Sequence, residues 1–220
     1  MRALVLGASG GIGEALSLEL RARGAEAIGL SRRHDGFDLT DEASVAQAAA
    51  RLEGGFDLIV NATGALQIGT DRPEKTLNAI TAQAMAAQFA LNATGVALAL
   101  RYLTPALRCS GRAVFASLSA RVGSIGDNRL GGWISYRAAK AAQNQIIRTA
   151  AIEIARKRPE AIVVALHPGT VETSLSAPYT ANHPTILPQH AARALLAVID
   201  RLTPTETGTF WDWKGQRVEW

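Results

Sequence analysis

Tyr136 and Lys140 stand four residues apart, in a run that meets neither Gly nor Pro until Pro159. On a helix that spacing stacks the two side chains on one face, a single turn apart. An ammonium beside a phenol favours the phenolate, so Tyr136 is expected to ionise more readily than a free tyrosine. A lowered phenol pKa suits general acid–base work near neutral pH. Ser119 lies upstream across a Gly-rich stretch, from which its hydroxyl can fold back to hold a reacting oxygen. Tyr-x-x-x-Lys alone is a weak pattern whose bland reading is an amphipathic helix with an exposed lysine. Its surroundings must decide.

Those surroundings begin with a short apolar strand at residues 4–6. It runs into Gly7-Ala8-Ser9-Gly10-Gly11-Ile12-Gly13 and then a helix-period segment to Gly24. Strand, glycine turn and helix in that order form the context of a dinucleotide site. Gly7 permits the tight turn, Gly11 lets backbone approach a pyrophosphate, and Gly13 lets helix and strand pack closely. The helix N-terminus presents N–H groups to the phosphates, with Ser9 and Ile12 in the same turn. A second strand, 25–30, leads to Ser31-Arg32-Arg33. Arg32 lies where an acidic residue binds the ribose diol of NAD, and an arginine there accommodates the 2′-phosphate of NADP. Ser31 is expected to add a hydrogen bond.

A short strand is expected at Phe37-Asp38-Leu39, with Asp38 accepting from an adenine amino group. Residues 41–51 read as helix. The apolar run 56–60 reads as a buried parallel strand, leading into Asn61-Ala62-Thr63-Gly64, small residues against which a flat ligand can lie. Residues 81–107 read as one long helix with Asn92 at its middle, a poor mid-helix residue that invites a functional reading. Strand 112–118 places Ser119 at its carboxyl end. After the Tyr136 helix, strand 161–166 delivers His167-Pro168-Gly169-Thr170-Val171-Glu172-Thr173 to the same edge. His167 there is more simply a hydrogen-bonded strand end than a base. The 174–188 loop, a helix at 189–202 and an aromatic strand at 209–213 complete the chain.

Alternating strands and helices make an α/β fold, a doubly wound parallel sheet of Rossmann type, in a single domain of 220 residues. A hydrophobic fraction of 48% supplies a full core, and charged residues at 19% are too many for a membrane protein. The net charge of +4 comes mostly from scattered arginines without aromatic interleaving, so no nucleic-acid partner is expected. No metal site is expected. The single cysteine, Cys109, is read as a packed thiol in a protein of the reducing cytoplasm.

The ordered set Gly7-x-x-x-Gly11-x-Gly13, Asp38, Asn61-Ala62-x-Gly64, Asn92, Ser119, Tyr136-x-x-x-Lys140 and Pro168-Gly169 resembles the short-chain dehydrogenase/reductase family over essentially the whole chain. The stretches around 118–140 and 166–176 resemble its compact bacterial C-factor-like branch. The resemblance implies a catalytic set of Asn92, Ser119, Tyr136 and Lys140. Tyr136 would be the proton donor or acceptor, Lys140 would lower its pKa and hold the nicotinamide ribose, and Ser119 would orient the substrate oxygen. Asn92 would anchor a water in a proton relay. Gly7, Ser9, Gly11, Ile12, Gly13, Ser31, Arg32, Asp38, Leu39, Asn61, Ala62, Thr63 and Gly64 would bind the cofactor, with Tyr136, Lys140, Pro168, Gly169, Val171 and Thr173 around the nicotinamide.

Some positions depart from the family pattern. Leu6 replaces a frequent threonine, Thr63 is an inserted position, and Ala139 stands where a serine is common. Ser119 lies further than usual from Tyr136, which leaves Ser117 as a rival for the serine role. The implied activity is NADP(H)-dependent oxidoreduction of a small-molecule carbonyl or secondary alcohol, in a homodimer or homotetramer. The alternative is an NADP(H)-binding sensor or signalling protein without essential turnover. Leu130, Trp133, the 174–188 loop and the Phe210/Trp211/Trp213 group suit an apolar substrate pocket and equally core or subunit contact, and Trp220 is a candidate for closing a pocket, its own or a neighbour's.

Overall fold

The computed structural model describes residues 1–70, 72–174, 176–179 and 184–220. Six parallel strands pair in the order β2-β1-β3-β4-β5-β6: β1 (Arg2–Leu6), β2 (Glu26–Leu30), β3 (Leu58–Asn61), β4 (Ala113–Leu118), β5 (Ala161–His167) and β6 (Phe210–Asp212). The chain steps from β1 outward to β2 and then returns to β3 on the other side of β1. That reversal opens a crevice beyond the carboxyl ends of β1 and β3.

Helices cover both faces, which is why β4 and β5 read as nearly unbroken apolar runs. Along β5, Ile162, Val164 and Leu166 point to a layer made by α1 (Gly11–Ala22) and α7 (Pro188–Arg201). Val163 and Ala165 point the other way, to α3 (Glu42–Arg51), α5 (Gly95–Leu103) and α6 (Ile134–Lys157). Phe115, wholly buried on β4, anchors that second layer. Burial of a side chain of this size contributes roughly 1.5–3 kcal/mol.

Two expected elements differ. Residues 37–39 form no strand. Their polar backbone is satisfied locally: Ser44 Oγ accepts from the Asp38 N–H at 2.9 Å, and the Asp38 carboxylate accepts from Thr40 N–H at 2.9 Å. Residues 32–35 instead make a one-turn helix, α2 (Arg32–Asp35). The expected helix over 81–107 is also broken. It comprises α4 (Ala82–Phe89), a π-turn over Ala90–Thr94, α5, and a closing 3₁₀ turn. Asn92 sits in the π-turn, whose extra residue re-aims the side chains it carries.

α6 begins abruptly. Trp133 has φ 50°, left-handed for a bulky residue, after two glycines of positive φ. The buried Glu74 carboxylate accepts from the Ser135 N–H at 3.4 Å and from the Ser135 hydroxyl. A carboxylate there satisfies otherwise orphaned amides and suits the helix dipole. Glu74 thereby places Tyr136 one residue further on.

Candidate active site

Because every strand runs the same way, Gly7, Ser31, Ala62, Ser119 and Pro168 all emerge at one edge of the sheet. The glycine turn is shaped by close approach. Gly7 has φ 78°, and a Cβ there would lie 3.0 Å from the Ala62 carbonyl. A Cβ on Gly13 would lie 2.2 Å from the Gly7 carbonyl oxygen. Ser9 and Gly11 are exposed and Ile12 is partly buried. Gly10 caps α1 without a side chain, leaving the first amides of the helix clear. These features fit a dinucleotide phosphate. Over Gly11, however, the space is taken: its Cβ would stand 2.8 Å from Thr173 Cγ2. The 171–174 segment therefore leans onto the glycine turn.

Arg32 is exposed at the start of α2, while Ser31 is buried as the cap of that turn. The Ser31 hydroxyl accepts from the His34 N–H and faces the Asp35 carboxylate at 3.2 Å. Hydrogen bonds from Thr40 hold the Asp38 carboxyl below its usual range, with Arg32 adding a little. Leu39 is buried against Gly95. Further along the edge, the Asn61 Oδ1 accepts from Thr63 N–H (3.2 Å) and Oγ1 (2.6 Å). Gly64, φ 132°, passes so near Asn92 Oδ1 and Lys140 Nζ that a Cβ would approach them to 2.9 and 3.3 Å. Pro168 is partly buried, Val171 is buried, and Gly169 lies under the Trp213 indole.

Asn92, Tyr136 and Lys140 converge below that loop. Asn92 is 1% exposed, and its amide is committed: Oδ1 accepts from Ala65 N–H, and Nδ2 donates to the Ala65 carbonyl (2.9 Å) and Gln88 Oε1 (2.7 Å). It ties α4 to the β3 loop. Lys140 Nζ is 5.8 Å from the centre of the Tyr136 ring and donates to Leu118 O (3.1 Å) and Gln143 Oε1 (2.8 Å). Ser119 is buried at the end of β4 and donates to Asn144 Oδ1 at 2.7 Å. Ser117 points into the core, where it accepts from Asn61 Nδ2 (3.0 Å) and Gln143 Nε2 (3.1 Å).

Burial governs the ionisation of the pair. It pushes the Tyr136 phenol above its ordinary range and Lys140 down to about 7. The lowered tyrosine expected from the spacing is thus reversed in the protein alone, because desolvation outweighs a cation some 6 Å away that is itself ready to lose its proton. His167 is also driven down, to about 4, by burial and then Arg121, with Asp212 opposing.

The short chain dehydrogenase model matches residues 35–184 of the 220. The chain belongs to that family. A family member from Rhodococcus, 1-hydroxy-2-glutathionyl-2-methyl-3-butene dehydrogenase, is 29% identical over 99% of this chain and 98% of its own, and so spans the glycine turn as well. C-signal of Myxococcus xanthus is 36% identical over 62% of this chain and 78% of its own. Among solved structures, NADPH-bound carbonyl reductase from chicken fatty liver superposes with a TM-score of 0.85 at 22% identity, over 100% of this chain and 94% of that one. Carbonyl reductase from Pseudomonas aeruginosa gives 0.82 at 24%, over 100% and 99%. The Rossmann-type sheet of the family is therefore present.

At this edge of the short-chain dehydrogenase sheet lies a shallow recess, little wider than a water molecule, lined by Tyr136 with Leu66, Ile68, Arg72, Pro73 and Gln88. Sequence reasoning missed this wall, which is brought in by Glu74 from a loop without periodicity. It also missed Gln143 and Asn144, whose signal was available: they fall three and four residues beyond Lys140, on its face of the helix. Trp133 meets Tyr179 edge-on at 6.1 Å, and Tyr179 donates to Gln67 at 2.7 Å. Residues 175 and 180–183 of the expected 174–188 loop lie outside the described residues. Of the candidates for an apolar pocket, Leu130 is 91% exposed and Phe210 is a core residue, the second of the readings open to it, and Trp220 stacks on Phe210 at 5.7 Å. Cys109 is exposed, not packed.

Proposed function

We propose that this chain is an NADP(H)-dependent oxidoreductase acting on a carbonyl or secondary alcohol, with the whole of residues 1–220 as one catalytic unit. The observation that carries the reading is the meeting of a partly exposed Tyr136, a buried Lys140 and a glycine turn at one sheet edge. When bound, the nicotinamide supplies or accepts the hydride. The glycine turn with Ser9 and Ile12 holds the phosphates, and Arg32 holds the 2′-phosphate, while Ser31, whose N–H and hydroxyl both go to the Asp35 carboxylate, caps the turn that carries Arg32. Asp38 and Leu39 receive the adenine. Asn61, Ala62, Thr63 and Gly64 lie against the sugar, and Pro168, Gly169, Val171 and Thr173 wall the nicotinamide after the segment over Gly11 shifts. NADPH in the chicken carbonyl reductase of the same fold supports the choice of cofactor.

Among the described residues the Tyr136 hydroxyl has no hydrogen-bond partner, which leaves it free for a substrate oxygen. A phenol held protonated at neutral pH is a proton donor for carbonyl reduction. Lys140 beneath it, poised near neutrality, takes part in returning the proton. Ser119, whose own proton goes to Asn144, accepts from the substrate hydroxyl in the alcohol direction, and Asn92 keeps the β3 loop in place above the lysine. We place the activity in the cytoplasm, where the exposed Cys109 thiol stays reduced. We assign the chain a homodimer or homotetramer packed through α4–α5 and α6; a monomer in sedimentation would refute that assignment. Among the described residues no helix is long and apolar enough to cross a membrane.

Tyr136→Phe tests the reading. Turnover of a panel of aldehydes and ketones with NADPH should fall at least about 10²-fold while NADPH binding is kept. Near-normal turnover would reject the role. The similarity to C-signal favours one other reading, an NADP(H)-binding signalling protein. It would be supported if the Tyr136→Phe protein still rescued a deletion phenotype.

A further inference from the structure

A buried ammonium has three N–H donors to satisfy. Lys140, 3% exposed, gives one to the Leu118 carbonyl and one to Gln143 Oε1. Gln143 is itself wholly buried, one turn further along α6. Its neighbours dictate which end of the amide meets the lysine. Nε2 donates to Ser117 Oγ (3.1 Å) and to Leu118 O (3.0 Å). Ser117 Oγ also accepts from Asn61 Nδ2, whose Oδ1 is committed to Thr63. A flipped Gln143 would set an N–H group against the ammonium and a carbonyl oxygen against Leu118 O. The polarity of the string from β3 through β4 to α6 therefore presents an acceptor to Lys140.

We propose that Gln143 is a positioning residue for the reaction: it holds the Lys140 amine between Leu118 and Gly64 and sets the pH at which that amine carries its proton. The inference rests on the reading of Lys140 as part of the catalytic set. Among the described residues, the groups facing the amine from other elements are neutral: the Leu118 carbonyl from β4 and Gly64 from the β3 loop, which also passes close to the Asn92 amide of the π-turn. On its own helix, Tyr136 is the titratable neighbour. Burial has already brought the lysine to about 7, so one acceptor more or less decides its charge at neutral pH. With the amide oxygen in place the ammonium is favoured. An apolar residue of similar length removes that acceptor, and a carboxylate strengthens it.

The chain has four lysines, few enough for NMR of the 13Cε-lysine-labelled, cofactor-free protein to follow Lys140 through a pH titration. Gln143→Leu should lower its midpoint and Gln143→Glu raise it, each by about one to two pH units, the size of one hydrogen bond to a charged group. The pH dependence of kcat should move in the same directions while KM changes little. Coincident midpoints in the three proteins would overturn the proposal, as would separated midpoints with an unmoved kcat profile. If Gln143→Leu does not fold, the isosteric Gln143→Glu decides alone. A wild-type protein without turnover but with separated midpoints would remove the oxidoreductase reading and leave the placement of the lysine standing.

Discussion

His167 offers a stability test that can be worked through in numbers. It ends β5 opposite Asp212 of β6, and its Nδ1 is buried without a hydrogen-bond partner among the described residues. In the unfolded chain the imidazole takes up a proton near 6.5, and in the folded chain only near 4. Between those values the unfolded state holds more protons, so acid favours unfolding. The penalty is absent above about pH 6.5 and complete below about pH 4. A displacement from 6.5 to about 4, at ~1.36 kcal/mol per pH unit, is worth about 3 kcal/mol. Carboxylates titrate over the same range, so the quantity to measure is the difference between wild type and His167→Asn, which is neutral throughout. Urea unfolding of both proteins from pH 7 to pH 4 should show the variant gaining about 3 kcal/mol relative to wild type as pH falls. A difference that stays constant with pH would refute the buried, neutral imidazole.

Three further outcomes follow from the site. Gly13→Ala puts a methyl 2.2 Å from the Gly7 carbonyl oxygen, backbone on both sides; it should cost about 3 kcal/mol or more in urea unfolding, and unchanged stability would contradict the packing of the turn. Arg32→Ala should weaken NADPH binding roughly 10- to 150-fold and leave NADH binding unchanged, so equal losses for both cofactors would dismiss the 2′-phosphate contact. Asn144→Leu strands the Ser119 hydroxyl and the Gly123 carbonyl, and should cost about 1–3 kcal/mol of stability and lower kcat more than it raises KM. Unaltered kcat in that variant would separate Ser119 from the chemistry.

The parallel strands, the glycine turn and the Tyr136 helix were legible in the sequence because each carries a local signal: an apolar run, a cluster of glycines, a stretch free of breakers. The broken helix at 90–94 was not. Its alanine-rich composition suits helix throughout, and the extra residue is imposed by Asn92 clamping Ala65 from another loop. The 37–39 segment has strand-like residues, yet Ser44 and Thr40 answer its polar groups before a neighbouring strand can. The ionisation of Tyr136 is hidden from the sequence for a related reason. Spacing shows which charge is near, whereas desolvation depends on everything packed around it. Ser119 and Ser117 were separable only by where β4 ends: Ser117 turns inward to Gln143, and Ser119 stands past the last residue of the strand.

The π-turn has a consequence for how this chain can change over generations. A π-turn spends one residue more than the α-helical turn it replaces, with hydrogen bonds spanning five residues in place of four. Losing that residue would let 90–94 close as ordinary α-helix, with α4 and α5 left nearly in line. What would change is local: the side chains of the turn itself would rotate, and Asn92 would leave Ala65 and Gln88. The stretch can therefore shed a residue and stay helical, but only by giving up the clamp that holds the β3 loop over Lys140.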